Sequence, residues 1–269
     1  MKRLLVLGAG FTGGAVARLA RERGVEVVAS TRDAGRAERL RALGCAPLLA
    51  PDLASAELPI DGATAVLVAF PPDGRTDAAL VPRLSRARAV AYVSSSVVYG
   101  RARGRVDERT RVAADTPRGV ARVEAEALHR SIGATVVRAP AIYGPGRGIH
   151  TRLAAGTLKL HGDGTNVVSR VHVDDLASAL YELLAGDVRG ATFVAGDRVP
   201  APHVEVIRFV ADALSLPMPP RAPAESADET LRNERALDPS LLWSTLGREP
   251  RFPSYREGYL QCIAADRLR

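Results

Sequence analysis

Lysine is nearly absent from this 269-residue chain, which carries only Lys2 and Lys159; the remaining basic residues are arginines scattered along its whole length, and the net charge is +7. Such a balance can mark a nucleic-acid binder. Aromatic residues make up only 4% of the chain, however, too few to interleave base-stacking platforms with the arginines. Nucleic acid is therefore set aside, and an anionic small molecule such as a phosphate-bearing cofactor accounts for local arginines instead. Cysteine is scarce too: Cys45 and Cys262 are far apart and lack ligand-like neighbours, which fits a reducing compartment. The five histidines form no HxxxH or HExxH pattern, so no metal site is expected. No apolar run approaches the roughly 18 residues of a membrane span. The opening MKRLLVLGAG starts like a signal peptide, but its glycines cut the apolar run short, and a buried strand is the better reading. A cytoplasmic protein with no membrane partner is expected.

What is present is an alternation of short apolar runs with segments of helical period. Strands are expected at 3–7 (RLLVL), 26–30, 46–50, 65–69, 89–94 and 134–138, with helices at 12–23, 34–43, 77–86 and 120–130. In the first helix Ala15, Val16, Leu19 and Ala20 share a face. Strands that are apolar throughout belong to a parallel sheet covered on both faces. The alternation predicts an α/β fold with a doubly wound sheet. After about Tyr143 the pattern changes. Turn-rich GPGRG and HGDGT are followed by a strand at 167–173, then a helix to about Leu184 capped by Asp174 or Asp175. Proline clusters at 217–223 and a polar stretch at 224–238 suggest a smaller, irregular portion over the carboxyl ends of the strands. The expected division is 1–145 as the nucleotide-binding domain, also receiving 172–198, with 146–171 and 199–269 forming the substrate portion.

Between the first strand and helix stands Gly8-Ala9-Gly10-Phe11-Thr12-Gly13, a GxGxxG in its proper context. Gly8 permits a tight turn, Gly10 lets a pyrophosphate approach the backbone, and Gly13 lets the helix pack on the strand. The helix N-terminus then offers amide groups to the phosphates. At the end of the second strand, Ser30-Thr31-Arg32 suits the 2′-phosphate of NADP. Asp33 complicates the choice, because it fits a ribose contact or a helix N-cap equally, so NAD stays open. Asp52 and Leu53 after the third strand, and Ala69, Phe70 and Pro71 after the fourth, are candidate cofactor contacts.

Four stretches together, GAGFTG, YVSSSVVYG (92–100), RAPAIYGPGRG (138–148) and VHVDDLASAL (171–180), resemble the extended short-chain dehydrogenase/reductase family, the epimerase/dehydratase group. The resemblance covers about two thirds of the chain. It implies a Rossmann domain with a smaller C-terminal substrate domain, hydride transfer to and from a nicotinamide, and often a nucleotide-sugar substrate. It also makes a homodimer a plausible assembly.

By that resemblance Ser95 holds a substrate hydroxyl or carbonyl, with Ser96 beside it. The family's YxxxK falls on the next helix, where this chain has Arg118 at the tyrosine position and Arg122 at the lysine position. Arg122 keeps a positive charge for the nicotinamide ribose. Arg118 cannot replace the phenol: its guanidinium stays protonated near neutral pH, and acid–base catalysis needs both protonation states. The pattern resembles the superfamily's atypical branch, which lacks the catalytic tyrosine. Tyr99, Tyr143 and His172 are the available stand-ins, Tyr99 foremost. Tyr143, Arg147, Arg170 and His150 are candidate contacts to a small-molecule substrate, since arginine grips phosphate or carboxylate with two parallel bonds. Two classes of function remain: an NAD(P)-dependent oxidoreductase or epimerase working without the usual tyrosine, or a catalytically silent NADP(H)-binding regulator or scaffold.

Overall fold

A computed structural model of the protein describes residues 1–227 and 234–267. The chain divides into two compact units. The first comprises Met1–Val98, Ala114–Arg138 and Leu176–Phe193; the second comprises Tyr99–Ala113, Ala139–Asp175 and Val194–Arg269. Part of the polar stretch at 224–238 and the last two residues of the expected substrate portion lie outside the described residues.

The first unit is built on a seven-stranded sheet. Its strands include β1 (Arg3–Leu7), β2 (Glu26–Thr31), β3 (Ala46–Leu49), β4 (Thr64–Val68) and β5 (Ala89–Ser95). From one edge the order is β3, β2, β1, β4, β5, then Thr135–Ala139 and Thr192–Val194. The pairs from β3 to β5 all run parallel. This is the doubly wound α/β, Rossmann-type arrangement the apolar runs imply. Leu4, Leu5, Val6 and Leu7 of β1 are completely buried, as are Ala65 to Val68 of β4, because both faces of the sheet centre are covered. The covering helices include α1 (Phe11–Glu22), α2 (Ala34–Ala42), α3 (Arg75–Leu84) and α4 (Pro117–Arg130). On α1 the buried stripe is Gly13, Val16, Ala17 and Ala20, turned by about a residue from the expected one. One core gathers Leu5, Leu7, Val66, Leu80, Leu84, Tyr92 and Ala125. Chain order reverses between β1 and β4, and crevices for ligands open at the carboxyl ends of strands at such a point.

The second unit has its own core, in which Tyr143, Leu158, Leu160, Val206, Ile207, Val210, Tyr255 and Tyr259 pack together. Residues 99–113 belong here rather than with the nucleotide-binding sheet, because Gly104–Val106 pairs in parallel with Arg235–Leu237. The single strand expected at 167–173 is two. Val167–Val168 joins a four-stranded sheet, while Arg170–His172 pairs with Ala141–Tyr143. Ser169 marks the switch: its buried hydroxyl donates to the Arg235 carbonyl and accepts from the Leu237 amide. The following helix, Val173–Ala185, starts before both aspartates expected to cap it. The His172 Nδ1 accepts from the Asp174 amide at 3.2 Å, and the Asp175 carboxylate binds the amides of Arg251 and Phe252.

Candidate functional site

The turn after β1 is closed by the protein on two of its three glycines and open on the third. Gly8 has φ +92°, and a Cβ there would lie 2.8 Å from the Phe70 nitrogen. A Cβ on Gly13 would collide with the Gly8 carbonyl oxygen and press on Val6. A Cβ on Gly10 would meet nothing within 4 Å. Gly10 opens α1 with no side-chain cap, so the positive end of that helix faces the same clear space. The donor set and the room together fit a nucleotide pyrophosphate.

Ser30 holds the turn in place. Its buried hydroxyl accepts from the Gly8 amide at 2.8 Å, and its carbonyl accepts from the Ala9 amide at 2.9 Å. The Ser30 hydroxyl, read from sequence as half of a phosphate-binding pair, is therefore committed inside the protein. On the far side the Ala69 amide donates to the Leu7 carbonyl, bringing Ala69 and Phe70 against the turn, with Pro71 next in the chain. Thr31 is also buried, its Oγ1 accepting from the Asp33 amide at 3.1 Å. Arg32 is exposed. The Asp33 carboxylate caps α2 by accepting from the Arg36 amide, which accounts for this aspartate without a ribose contact. Asp52 pairs with Arg75 at 2.9 Å and with Ser55; those bonds hold its exposed carboxyl below the usual range. Leu53 packs against the first unit's core.

Helix α4 is pinned beside the end of β5. Thr116 caps it through the Gly119 amide, and Gly119 lets it close on the Val97 carbonyl, where a Cβ would sit at 3.3 Å. Deeper in, the buried Glu126 carboxylate receives Ser94, Arg130 and a two-bond grip from Arg138 at 3.0 and 2.8 Å. Arg122 thereby faces β5, and its Nη1 donates to the Tyr92 hydroxyl at 2.9 Å and the Val93 carbonyl at 3.0 Å. Burial pushes the Tyr92 phenol up to about 12, although Arg122 opposes the shift. Ser95 is half-buried at the end of β5 and meets the Val97 amide only at 3.4 Å; Ser96 is buried. Arg118 is exposed.

The stand-ins considered for the missing phenol are differently placed. Tyr99 is fully buried, and its hydroxyl donates to the Asp107 carbonyl at 2.7 Å. Tyr143 is 2% exposed, stacks on Tyr259 with ring centroids 4.4 Å apart, and abuts Gly258. Burial drives its phenol far above the usual range, with the nearby Asp197 carboxylate adding to the shift. Tyr143, a candidate substrate contact by sequence, packs its ring into the second unit's core. His172 is buried between Tyr143 and Phe252, with Nε2 bonded to Gln261, and burial lowers its basicity. Arg170, also buried, has partners within the protein. It is 3% exposed and committed to the Val168 carbonyl and the His203 Nδ1, so it is no free anion grip. His150 pairs with Asp266 at 2.8 Å. Arg147 is exposed in the Gly144–Arg147 turn.

The turn, Thr31, Arg32, Asp52, Leu53, Ala69–Pro71, Ser95, Ser96 and Arg122 thus all lie in the first unit, whereas Tyr99, Tyr143, Arg147 and Arg170 belong to the second. Sequence reasoning passed over the clamp role of Ser30 and the contact of Tyr92 with Arg122. The one legible signal for the latter was a tyrosine inside the otherwise apolar run AVAYV. Among the described residues no His, Cys, Asp and Glu cluster could hold a metal ion, and no helix is long and apolar enough to cross a membrane.

The model of the NAD dependent epimerase/dehydratase family matches residues 76–196. The 3-diazoavenalumate denitrifying reductase of a Streptomyces species is 29% identical, over 95% of this chain and 98% of that protein. The structure of a conserved protein of unknown function from Silicibacter pomeroyi DSS superposes with a TM-score of 0.88 at 30% identity, covering 98% of this chain and 99% of that one. MoeE5, solved with UDP-glucose and NAD, superposes with a TM-score of 0.85 at 24% identity and 99% coverage of both chains, a likeness of fold.

Proposed function

Because the chain belongs to the NAD-dependent epimerase/dehydratase family, we propose that it is an NADP(H)-dependent oxidoreductase acting on a small polar molecule by a route that uses no tyrosine proton donor. The observation that carries this reading is the clear space beside Gly10, set between two glycines that the protein itself crowds. Gly8, Gly10, Phe11, Thr12 and Gly13 would hold the pyrophosphate against the N-terminus of α1. Arg32, exposed just past Thr31, favours a 2′-phosphate and hence NADP, while the carboxylate that would suit a 2′-hydroxyl is taken up as the α2 cap. Asp52 and Leu53 flank the adenine side, and Ala69, Phe70 and Pro71 back the turn.

When bound, the dihydronicotinamide supplies a hydride. Ser95 offers its hydroxyl to orient the acceptor, with Ser96 next to it, and Arg122 binds ribose hydroxyls. Arg118 offers no general acid or base in the tyrosine's place. This residue set fits an acceptor that needs no proton from the protein. An arenediazonium is such an acceptor. Hydride joins the ring carbon, the carbon–nitrogen bond breaks with its electron pair leaving on nitrogen, and the products are the neutral arene and dinitrogen. The relative named for denitrifying reduction of 3-diazoavenalumate makes a diazo-bearing aromatic acid the first substrate to try.

The test follows NADPH consumption with 3-diazoavenalumate beside a carbonyl panel that includes a nucleotide sugar. Turnover of the diazo compound with stoichiometric gas release is expected. Cofactor binding without consumption on any acceptor would leave a binding protein and defeat the reductase reading.

A further inference from the structure

A file of buried side chains runs through the first unit from α3 to Arg122. Asp77 and His129 are both 0% exposed, and the His129 Nε2 lies 3.0 Å from the Asp77 Oδ1. The other Asp77 oxygen accepts from the Asp73 amide at 3.3 Å, so the carboxylate is held at both ends. His129 stacks on Tyr92, with ring centroids 4.5 Å apart and planes 16° from parallel. The Tyr92 hydroxyl meets Arg122 at 2.9 Å, and the guanidinium carbon sits 5.8 Å from the Tyr92 ring centre. Arg122 and His129 are seven residues apart on α4, hence on one face, with the Tyr92 ring in contact with both.

A guanidinium is planar, and its orientation is fixed only by bonds at separate directions. The Val93 carbonyl alone would leave the Arg122 fork free to swing about one bond. The bond to Tyr92 removes that freedom and occupies the second hydrogen of Nη1. The Nε is buried with no hydrogen-bond partner among the described residues. What the fork retains for a ligand is Nη2, aimed by the two bonds that Nη1 makes. Tyr92 cannot drift, because it is fully enclosed and His129 is itself anchored by Asp77.

We infer that Tyr92, backed by His129 and Asp77, is a positioning residue that fixes the Arg122 guanidinium for the nicotinamide-side ribose, an inference that rests on the NADP-binding reading above. It acts through Arg122 and touches neither cofactor nor acceptor. Its removal should therefore be felt at one end of the dinucleotide only. The adenine half, held by the turn and Arg32, should not notice.

The experiment measures the affinity of the full chain for NADPH and for adenosine 2′,5′-bisphosphate, the adenine half alone. It is done for wild type, Tyr92→Phe, Arg122→Ala and the double variant. Tyr92→Phe is expected to weaken NADPH about tenfold, as for one lost bond to a charged group, and to leave the bisphosphate unchanged. In the Arg122→Ala background the same substitution should have no further effect, since a residue acting through Arg122 has nothing left to position. The inference is overturned if Tyr92→Phe weakens both ligands alike, leaves both unchanged, or adds its full effect to that of Arg122→Ala. Wild-type protein binding neither ligand would overturn the NADP reading as well, a result distinct from the others. Should Tyr92→Phe not fold, His129→Gln, which removes the ring behind Tyr92, is put through the same measurements with the same outcomes.

Discussion

The Gly8 amide donates to the Ser30 hydroxyl at 2.8 Å, joining the turn after β1 to the next-to-last residue of β2. The neighbouring amides of Ala9 and Gly10 donate to the Ser30 and Gly8 carbonyls. Ser30→Ala should therefore destabilise the first unit by about 1–2 kcal/mol, the cost of leaving a partly buried donor unpaired. Urea unfolding measures it. An unchanged midpoint would mean that the turn does not depend on the clamp.

The three glycines of the turn should separate stability from binding. Gly13→Ala places a methyl against the Gly8 carbonyl and should destabilise the fold by about 1–3 kcal/mol, as overpacking does. Gly10→Ala meets no protein atom within 4 Å. It should keep the wild-type unfolding midpoint while losing dinucleotide affinity by about tenfold or more, some 1.4 kcal/mol. Paired melting and binding measurements on the two variants check the contrast.

Arg118 and Arg122 should behave differently although they stand one helical turn apart. Arg118 is exposed, and its replacement by alanine should leave NADPH affinity within about twofold, as for a surface change worth under 0.5 kcal/mol. Arg122→Ala removes the two bonds to β5 together with the amino group proposed for the ribose. Its NADPH affinity should fall at least about tenfold, as for a lost charged hydrogen bond. Fluorescence titration of both variants decides this.

Asp197 should make the stability of the second unit depend on pH. It is 3% exposed, and its Oδ2 has no hydrogen-bond partner among the described residues. Burial pushes its carboxyl up to about 7, against the pull of Arg170 and with repulsion from Asp175 and Glu257 adding to the shift. A carboxyl raised in the folded state holds its proton longer than in the unfolded chain, where it titrates near 3.8. Its contribution is thus greatest below about pH 4 and is lost as the pH rises through about 7, with a slope of at most about 1.4 kcal/mol per pH unit. Asp197→Asn should remove that slope. The stability of the variant relative to wild type should accordingly rise from pH 4.5 to pH 7.5, measured by urea unfolding at each pH. A constant difference would place the Asp197 proton elsewhere.

The first unit was legible in the sequence because its signals are local. RLLVL followed by GAGFTG marks a buried strand and a tight glycine turn into a helix within eleven residues, and apolar alternation does the rest. The second unit was less so. VVSRVHV looks like one strand, yet Ser169 bridges to residues more than sixty positions away and splits it between two sheets. Arg170 reads as an anion contact because arginine grips phosphate or carboxylate with two parallel bonds; its burial, with His203 and a backbone carbonyl accepting its hydrogens, depends on long-range packing that no local pattern encodes. The Tyr92–Arg122 contact spans thirty residues and crosses from strand to helix, which no periodicity encodes.

The most direct test of the dinucleotide-binding reading is calorimetric titration of the wild-type chain with NADPH and with NADH under one set of conditions. Saturable heat with both, and tighter binding of NADPH, is the expected result. Absence of heat with either ligand at millimolar concentration would contradict it.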